Sequence, residues 1–129
     1  MTPVYLFDLA ARHTRWAEAR QVAITGNVAN ANTSGYEAMD VEPFADVMDK
    51  TRLTMARTDA AHFGGLDSVN NDATKVDIGD SWDVTSSGNS VSIEQELMKA
   101  DEVNKAFSLD VSIVRSFHRM LLASVRSGS

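Results

Sequence analysis

The segment from Ile93 to Val125 carries the pattern that most constrains how this chain can fold. Side chains recur there in alternating steps of four and three, and eight of the ten positions are apolar: Ile93, Leu97, Ala100, Asn104, Phe107, Val111, Val114, His118, Leu121 and Val125. This spacing places them on one stripe of an α-helix and is typical of a coiled-coil seam. A second apolar row widens the stripe at Val103, Ala106, Ile113, Phe117 and Met120. We therefore expect the helix to contact more than one neighbour, as in a bundle or a tube.

Local sequence signals predict where this helix begins and what role its two polar seam residues have. Ser92 followed by Gln95 fits a capping box, in which the two side chains satisfy each other's backbone N–H groups. The helix is therefore predicted to begin near Ser92. Asn104 and His118 are interpreted as polar seam residues that fix register at some cost in stability.

A second amphipathic helix is predicted near the N-terminus. No proline occurs between Tyr5 and Ala31, and apolar side chains fall close to helical spacing at Leu6, Leu9, Trp16, Ala19, Ala23 and Val28. Thr33, Ser34 and Gly35 cluster where this helix should stop, and Gly35 permits a positive φ there. His13 is predicted to lie on the helix surface.

The middle of the chain has no sustained period, so the predicted fold is mainly α. Residues 39–58 suit a short helix or strands, and residues 64–89, rich in Gly, Asp, Asn and Ser, indicate loop or extended chain. The sequence thus divides into an N-terminal helix at 1–31, a turn and irregular middle segment at 32–91, and a C-terminal helix at 92–129. A chain of 129 residues allows one domain of ordinary size.

Composition excludes several function classes. A formal charge of −6 disfavours nucleic-acid partners, because phosphate backbones would be repelled. The absence of cysteine excludes disulfides, thiol nucleophiles and thiolate metal sites. We also expect no transmembrane span and no cleaved signal peptide, since no run is apolar enough and no basic region precedes an apolar one.

No catalytic, metal or cofactor site is predicted. His13, His62 and His118 lack metal-ligand spacing, and five aspartates lack the EF-hand pattern: Asp67, Asp72, Asp77, Asp80 and Asp83. Residues 79–81 read Gly-Asp-Ser, as at the start of one serine esterase family, but no base is positioned by the sequence to activate Ser81. A turn is the preferred interpretation of that tripeptide.

The run NVANANTSGYEAMDV at residues 27–41 has the chemistry of a helix terminator, and its first ten residues, 27–36, are called here the first motif. It also resembles the signature that ends the N-terminal helix in flagellar basal-body rod and hook proteins. The positions that match are Asn27, Val28, Ala29, Asn30, Thr33, Gly35 and Tyr36. Ser34 departs from the pattern, because the family usually has proline there.

The string GNSVSIEQELM at residues 88–98, called here the second motif, is similar to the family's entry into the C-terminal helix. Ser92 stands for the usual aspartate, and both residue types can cap a helix. Among the axial proteins of the family, the short middle region and the Glu-rich helix entry resemble the proximal-rod members most.

This resemblance implies a structural subunit of the flagellar basal body, with long terminal helices packed as a coiled-coil-like pair in an assembled tube. Such a subunit transmits torque and conducts exported subunits through the periplasmic rod, and it needs no cofactor. Family partners are copies of itself, other rod proteins, the export-gate adaptor at the rod base and the surrounding membrane ring. The flagellar type III apparatus would export it without cleaving a signal peptide.

Two alternatives come from other function classes. One is a small cytoplasmic helical adaptor or chaperone-like protein, which would fold as a soluble oligomer. The other is an esterase that uses Ser81, which would lose activity on Ser81→Ala. Neither alternative explains the two motifs.

Overall fold

The computed structural model describes residues 3–54, 74–75 and 80–126. Its elements in chain order are α1 (Pro3–Ala29), β1 (Met39–Asp40), α2 (Phe44–Thr54), β2 (Thr74–Lys75) and α3 (Ile93–Arg126). The mainly helical fold with two long terminal helices is confirmed. In the predicted middle segment, a short helix and a two-residue antiparallel strand pair both occur, with Met39 opposite Lys75. His62, Asp67, Asp72 and Asp77 lie outside the described residues.

The two long helices pack against each other in antiparallel directions. The register is set by four cross-helix contacts, given from the end of α1 to its start: Asn27 with Glu96, Arg20 with Glu102, His13 with Asp110, and Phe7 with Phe117. α1 therefore lies along most of α3, and the start of α1 lies beside the end of α3. Among the described residues, neither helix has a stretch apolar enough to cross a bilayer.

The core lies in the middle of this helix pair, where α2 packs across it. Its buried members are Trp16, Ala17, Ile24, Val41, Val47 and Val103. Phe44 at the start of α2 packs against this cluster, and the Trp16 indole Nε1 donates a 2.7 Å hydrogen bond to the Glu42 carbonyl. The buried indole therefore keeps its polar atom satisfied while its ring fills the core.

α3 begins at Ile93, as predicted, but the capping box forms only in part. The Ser92 hydroxyl accepts a 3.5 Å bond from the Gln95 N–H, as the pattern requires. The Gln95 side chain does not return to Ser92. It donates to the Asp80 carbonyl at 3.0 Å and accepts from the Trp82 N–H at 3.4 Å, so it ties the preceding loop to the helix instead.

Candidate functional site

Asn27 lies at the centre of a polar junction and is fully buried. Its amide Nδ2 donates to the Met39 carbonyl at 2.7 Å and to Glu96 Oε2 at 3.0 Å. Its Oδ1 accepts from the Met39 N–H at 2.9 Å and from the Tyr36 hydroxyl at 3.4 Å. Because both donor hydrogens and both acceptor sites are used, one side chain joins α1, β1 and α3.

The rest of the first motif folds into consecutive turns that end α1. Asn30 donates through Nδ2 to the Gly26 carbonyl at 2.8 Å and accepts the Thr33 hydroxyl at 3.2 Å. The Tyr36 N–H then bonds the Thr33 carbonyl at 3.2 Å. Gly35 has a φ of +71°, so the predicted positive φ is confirmed. Backbone turn bonds, supported by the Asn30 side chain, thus end the helix after residue 29.

The second motif closes onto these turns through Asn89, which is buried. Asn89 Nδ2 donates to the Asn30 carbonyl at 2.9 Å and to the Thr33 carbonyl at 2.7 Å, while its Oδ1 accepts the Val91 N–H at 2.8 Å. The Ser90 N–H bonds the Tyr36 carbonyl at 3.0 Å. We call this interlocked contact between residues 27–40 and 87–96 the junction. Two strings that are distant in sequence therefore form one site.

Ser34 and the two left-handed glycines bring the loops of the junction together. The Gly35 N–H and the Ser34 hydroxyl both donate to the Ser87 carbonyl, at 3.0 and 3.3 Å. Gly88 has a φ of +81°, and a Cβ built there would lie 3.7 Å from the Gly35 Cα. The serine that replaces the usual proline thus supplies a cross-loop hydrogen bond that a proline side chain cannot make.

A chain of alternating charges extends from the junction along the helix pair. Buried Glu96 accepts from Lys99 at 3.1 Å, and Lys99 also pairs with Asp40 at 3.1 Å. Arg20 bridges Asp40 at 3.2 Å and Glu102 at 2.9 Å. Because each buried charge has an opposite partner, the network avoids the large penalty of an isolated buried carboxylate.

A second polar contact lies further along the helices. His13 Nδ1 lies 2.9 Å from both Asp110 carboxylate oxygens, and the Thr14 hydroxyl donates to Asp110 at 3.2 Å. The His13 ring stacks near Trp16, with ring centroids 5.5 Å apart, and meets the Phe44 ring edge-on at 4.7 Å. The prediction that His13 is a surface residue is therefore wrong, because its ring is half-buried between α2 and α3.

The predicted seam on α3 consists of two rows, and only one of them reaches α1. The first, called here the shared row, is Ile93, Ala100, Phe107, Val114 and Leu121, of which Ala100 and Phe107 pack against the core. The other, called the outer row, is Leu97, Asn104, Val111, His118 and Val125, and every member is exposed. The surface that α3 turns to α1 instead uses Glu96, Val103, Asp110 and Phe117. The outer row is thus exposed within the described part of the chain and stays a predicted assembly surface.

Those remaining sequence candidates that the structure describes gather into no further site. Val28 and Ala29 of the first motif have exposed side chains. The Ser81 hydroxyl donates to the carbonyls of Asp83 and Ser90, which holds a turn. Within residues 3–54 and 80–126, no three acidic, His or Cys side chains are grouped to hold a metal ion.

The turn at Gly35 predicts that alanine substitutions at two glycines change the free energy of unfolding differently. Gly35→Ala should destabilise the chain by about 1 kcal/mol, because alanine resists a positive φ although the space around its Cβ is open. Gly26 lies within α1, so Gly26→Ala should be neutral or stabilising by up to about 1 kcal/mol. Urea unfolding monitored by tryptophan fluorescence compares the two variants. Equal midpoints would contradict the assigned backbone geometry.

The comparison with known proteins gives a relative that matches over nearly the whole chain. The flagellar basal body rod protein FlgB of Agrobacterium fabrum is 40% identical over 129 residues, covering 98% of this chain and 96% of the relative. No protein-family model matches the chain. The alignment spans both motifs, both long helices and the segment between them.

Proposed function

Because this chain belongs to the FlgB family of flagellar basal body rod proteins, we propose that its α1–α3 pair is the building unit of the basal-body rod. The pair packs side by side with neighbouring subunits in the proximal, periplasmic part of the rod. The whole-length relationship to a rod protein carries this assignment. Exposed apolar residues on α3 provide a surface for packing against neighbouring subunits.

The outer row of α3 is the surface through which we expect neighbours to pack. Leu97 is 70% exposed, Val111 47% and Val125 72% in the single chain. These three apolar residues lie next to a row of which Ala100 and Phe107 already pack against the core, and they are suited to contact a second helix. Burying them on assembly removes apolar area from water and favours the rod by about 25 cal/mol per Å².

The junction gives the building unit the stiffness that torque transmission requires. Asn27, Asn89 and Glu96 are buried and hydrogen-bonded, so sliding one helix along the other would leave several of their polar groups unsatisfied. Unsatisfied buried polar groups cost about 1 to 3 kcal/mol each. The helix pair therefore resists slippage and can pass load from one neighbour to the next.

The finer assignments follow from the family relationship. The partners are copies of the chain, other rod proteins, the export-gate adaptor at the rod base and the surrounding membrane ring. Delivery is by the flagellar type III apparatus without cleavage of a signal peptide. The absence of cysteine suits a chain that must be kept unfolded for export, because no disulfide crosslink can oppose unfolding.

The adaptor and esterase hypotheses are not favoured. A cytoplasmic adaptor or chaperone-like protein is not favoured, since the full-length relative is a rod protein. The esterase interpretation required Ser81 to act as a nucleophile, whereas its hydroxyl donates to the backbone carbonyls of Asp83 and Ser90.

Basal bodies isolated from the source bacterium test the assignment. We expect the chain to co-purify with intact basal bodies and to lie in the rod wall at its base. A strain that lacks the chain should assemble no rod and should not swim. A chain found only in the cytoplasmic fraction, with normal swimming in its absence, would contradict the assignment.

A further inference from the structure

The loop that precedes α3 exposes a tryptophan to solvent. The Trp82 side chain is 61% exposed, and that of Val84, two residues further on, is 43% exposed. Trp82 is the most exposed aromatic residue among those that the structure describes. We call residues 80–85 the tryptophan loop. Burying its indole against a partner would remove a large apolar area from water.

Hydrogen bonds on both sides of Trp82 hold the backbone of this loop in place. The Trp82 N–H donates to Gln95 Oε1 at 3.4 Å, and Gln95 Nε2 donates to the Asp80 carbonyl at 3.0 Å. The Ser81 hydroxyl donates to the Ser90 carbonyl. A backbone that is held in advance loses less conformational freedom when a partner binds, which favours affinity.

The surface around the tryptophan loop is acidic. Asp80 and Asp83 flank Trp82 and are both exposed, and Glu94 is exposed at the start of α3, to which the loop is tied. Residues 80–98 contain no lysine or arginine. An exposed indole among carboxylates suits an apolar pocket whose rim carries basic side chains, because opposite charges then face each other across the contact.

We propose that the tryptophan loop docks on a partner protein other than this chain, with the Trp82 indole in an apolar pocket rimmed by lysine or arginine. This inference rests on the proposed function and deepens it by assigning a contact with a different basal-body protein to named residues. Tryptophan is among the residues that most often carry a large share of the binding energy at protein interfaces.

The negative charge of the loop argues against two other occupants. A second copy of the chain has a formal charge of −6 and would be repelled at a distance by the acidic loop. An anionic membrane would be repelled for the same reason, although an exposed indole alone would suit a lipid surface.

The tryptophan loop and the outer row lie on different sides of α3. Gln95 holds the loop, whereas Leu97 is the first member of the outer row. Residues two apart in a helix do not face the same way. Contact with a different protein and lateral packing can therefore be tested separately.

Photo-crosslinking in cells, followed by isolation of basal bodies, tests the proposal. A benzophenone amino acid in place of Val84 lies close to Trp82 in the chain and leaves the indole intact. We expect a cross-link to a different protein, mapped by mass spectrometry to an apolar site flanked by lysine or arginine. Trp82→Ala should lower the yield per copy of the chain about tenfold or more, whereas Trp82→Phe should keep most of it.

The carboxylates are tested by charge reversal in the same assay. Asp80→Lys with Asp83→Lys should also lower the yield about tenfold or more, because like charges then meet across the contact. Glu18→Lys with Asp46→Lys is the matched control. It changes the net charge by the same amount at exposed positions on α1 and α2, and it should leave the yield unchanged.

Two further controls separate docking from folding and from lateral packing. Trp82→Ala should leave the unfolding midpoint of the free chain unchanged by circular dichroism, because the side chain is mostly exposed. The benzophenone amino acid in place of Leu97 should cross-link to a neighbouring subunit, with a yield that Trp82→Ala does not alter.

Several results would overturn the proposal. A cross-link from position 84 to a second copy of the chain, to lipid or to no molecule would do so, as would a yield that Trp82→Ala leaves unchanged. If position 97 cross-links in basal bodies but position 84 does not, only the tryptophan-loop contact is wrong. If position 84 cross-links to a different protein but the chain is absent from basal bodies, the contact stands and the rod assignment fails.

Discussion

Asn27→Asp is expected to destabilise the free chain by about 3 to 5 kcal/mol, enough to unfold the junction under ordinary conditions. The substitution keeps the shape of the side chain but removes both N–H donors. The Met39 carbonyl and the Glu96 carboxylate then lose this donor, and a second carboxylate lies where 3.0 Å separated the amide from Glu96. Two adjacent carboxylates in a buried site repel each other strongly, because little water screens them.

Asn32→Asp is the matched control for this prediction. Asn32 belongs to the same motif but is exposed, so the same chemical change there should alter the free energy of unfolding by no more than about 0.5 kcal/mol. Urea unfolding followed through the fluorescence of buried Trp16 measures both variants. Similar midpoints for Asn27→Asp and Asn32→Asp would show that the junction does not stabilise the fold.

The second large effect concerns assembly and not folding. Leu97→Asp combined with Val111→Asp should abolish swimming while the free chain keeps its unfolding midpoint, because both positions are exposed before assembly. In the rod the two carboxylates would enter an apolar helix contact, where an unpaired buried charge costs several kcal/mol. The penalty recurs at every subunit interface, so the rod should not form although the chain is still synthesised and exported.

Its control moves each aspartate one residue further along α3. Met98→Asp with Ser112→Asp introduces the same charges at exposed positions outside both predicted rows. This variant should swim nearly as well as wild type. Counting rods by electron microscopy in the two strains gives the comparison, and equal assembly would mean that the outer row is not an interface.

The sequence predicted the helices better than it predicted their contact. The apolar repeat and Ser92 located α3 to within a residue, because periodicity and capping are local properties. The second apolar row included Val103 and Phe117 of the surface toward α1. The rest of that surface was missed because Glu96 and Asp110 occupy it, and charged residues are not recognised as seam positions. Their partners are distant in the chain, with Asn27 69 residues from Glu96 and His13 97 residues from Asp110.

In the junction, too, the sequence predicted the local backbone geometry but not the long-range contacts. The positive φ of Gly35 was predictable from residue type, since few other residues adopt it readily. The hydrogen bonds from Asn89 to the carbonyls of Asn30 and Thr33 were not predictable. They depend on the antiparallel packing that brings the end of α1 to the start of α3. The available signal was a pair of Asn-rich strings, each at one end of a long helix.

Thiol labelling of isolated basal bodies tests the central claim most directly, namely that the outer row of α3 is buried between rod subunits. The chain has no cysteine, so Leu97→Cys introduces a single reactive probe, and Met98→Cys provides its neighbour off the row. Both variants should react quickly with a maleimide as free chains, because both positions are exposed. In intact basal bodies we predict that Leu97→Cys becomes strongly protected, while Met98→Cys stays more reactive. Labelling of Leu97→Cys at the same rate in the free chain and in the rod would contradict the account.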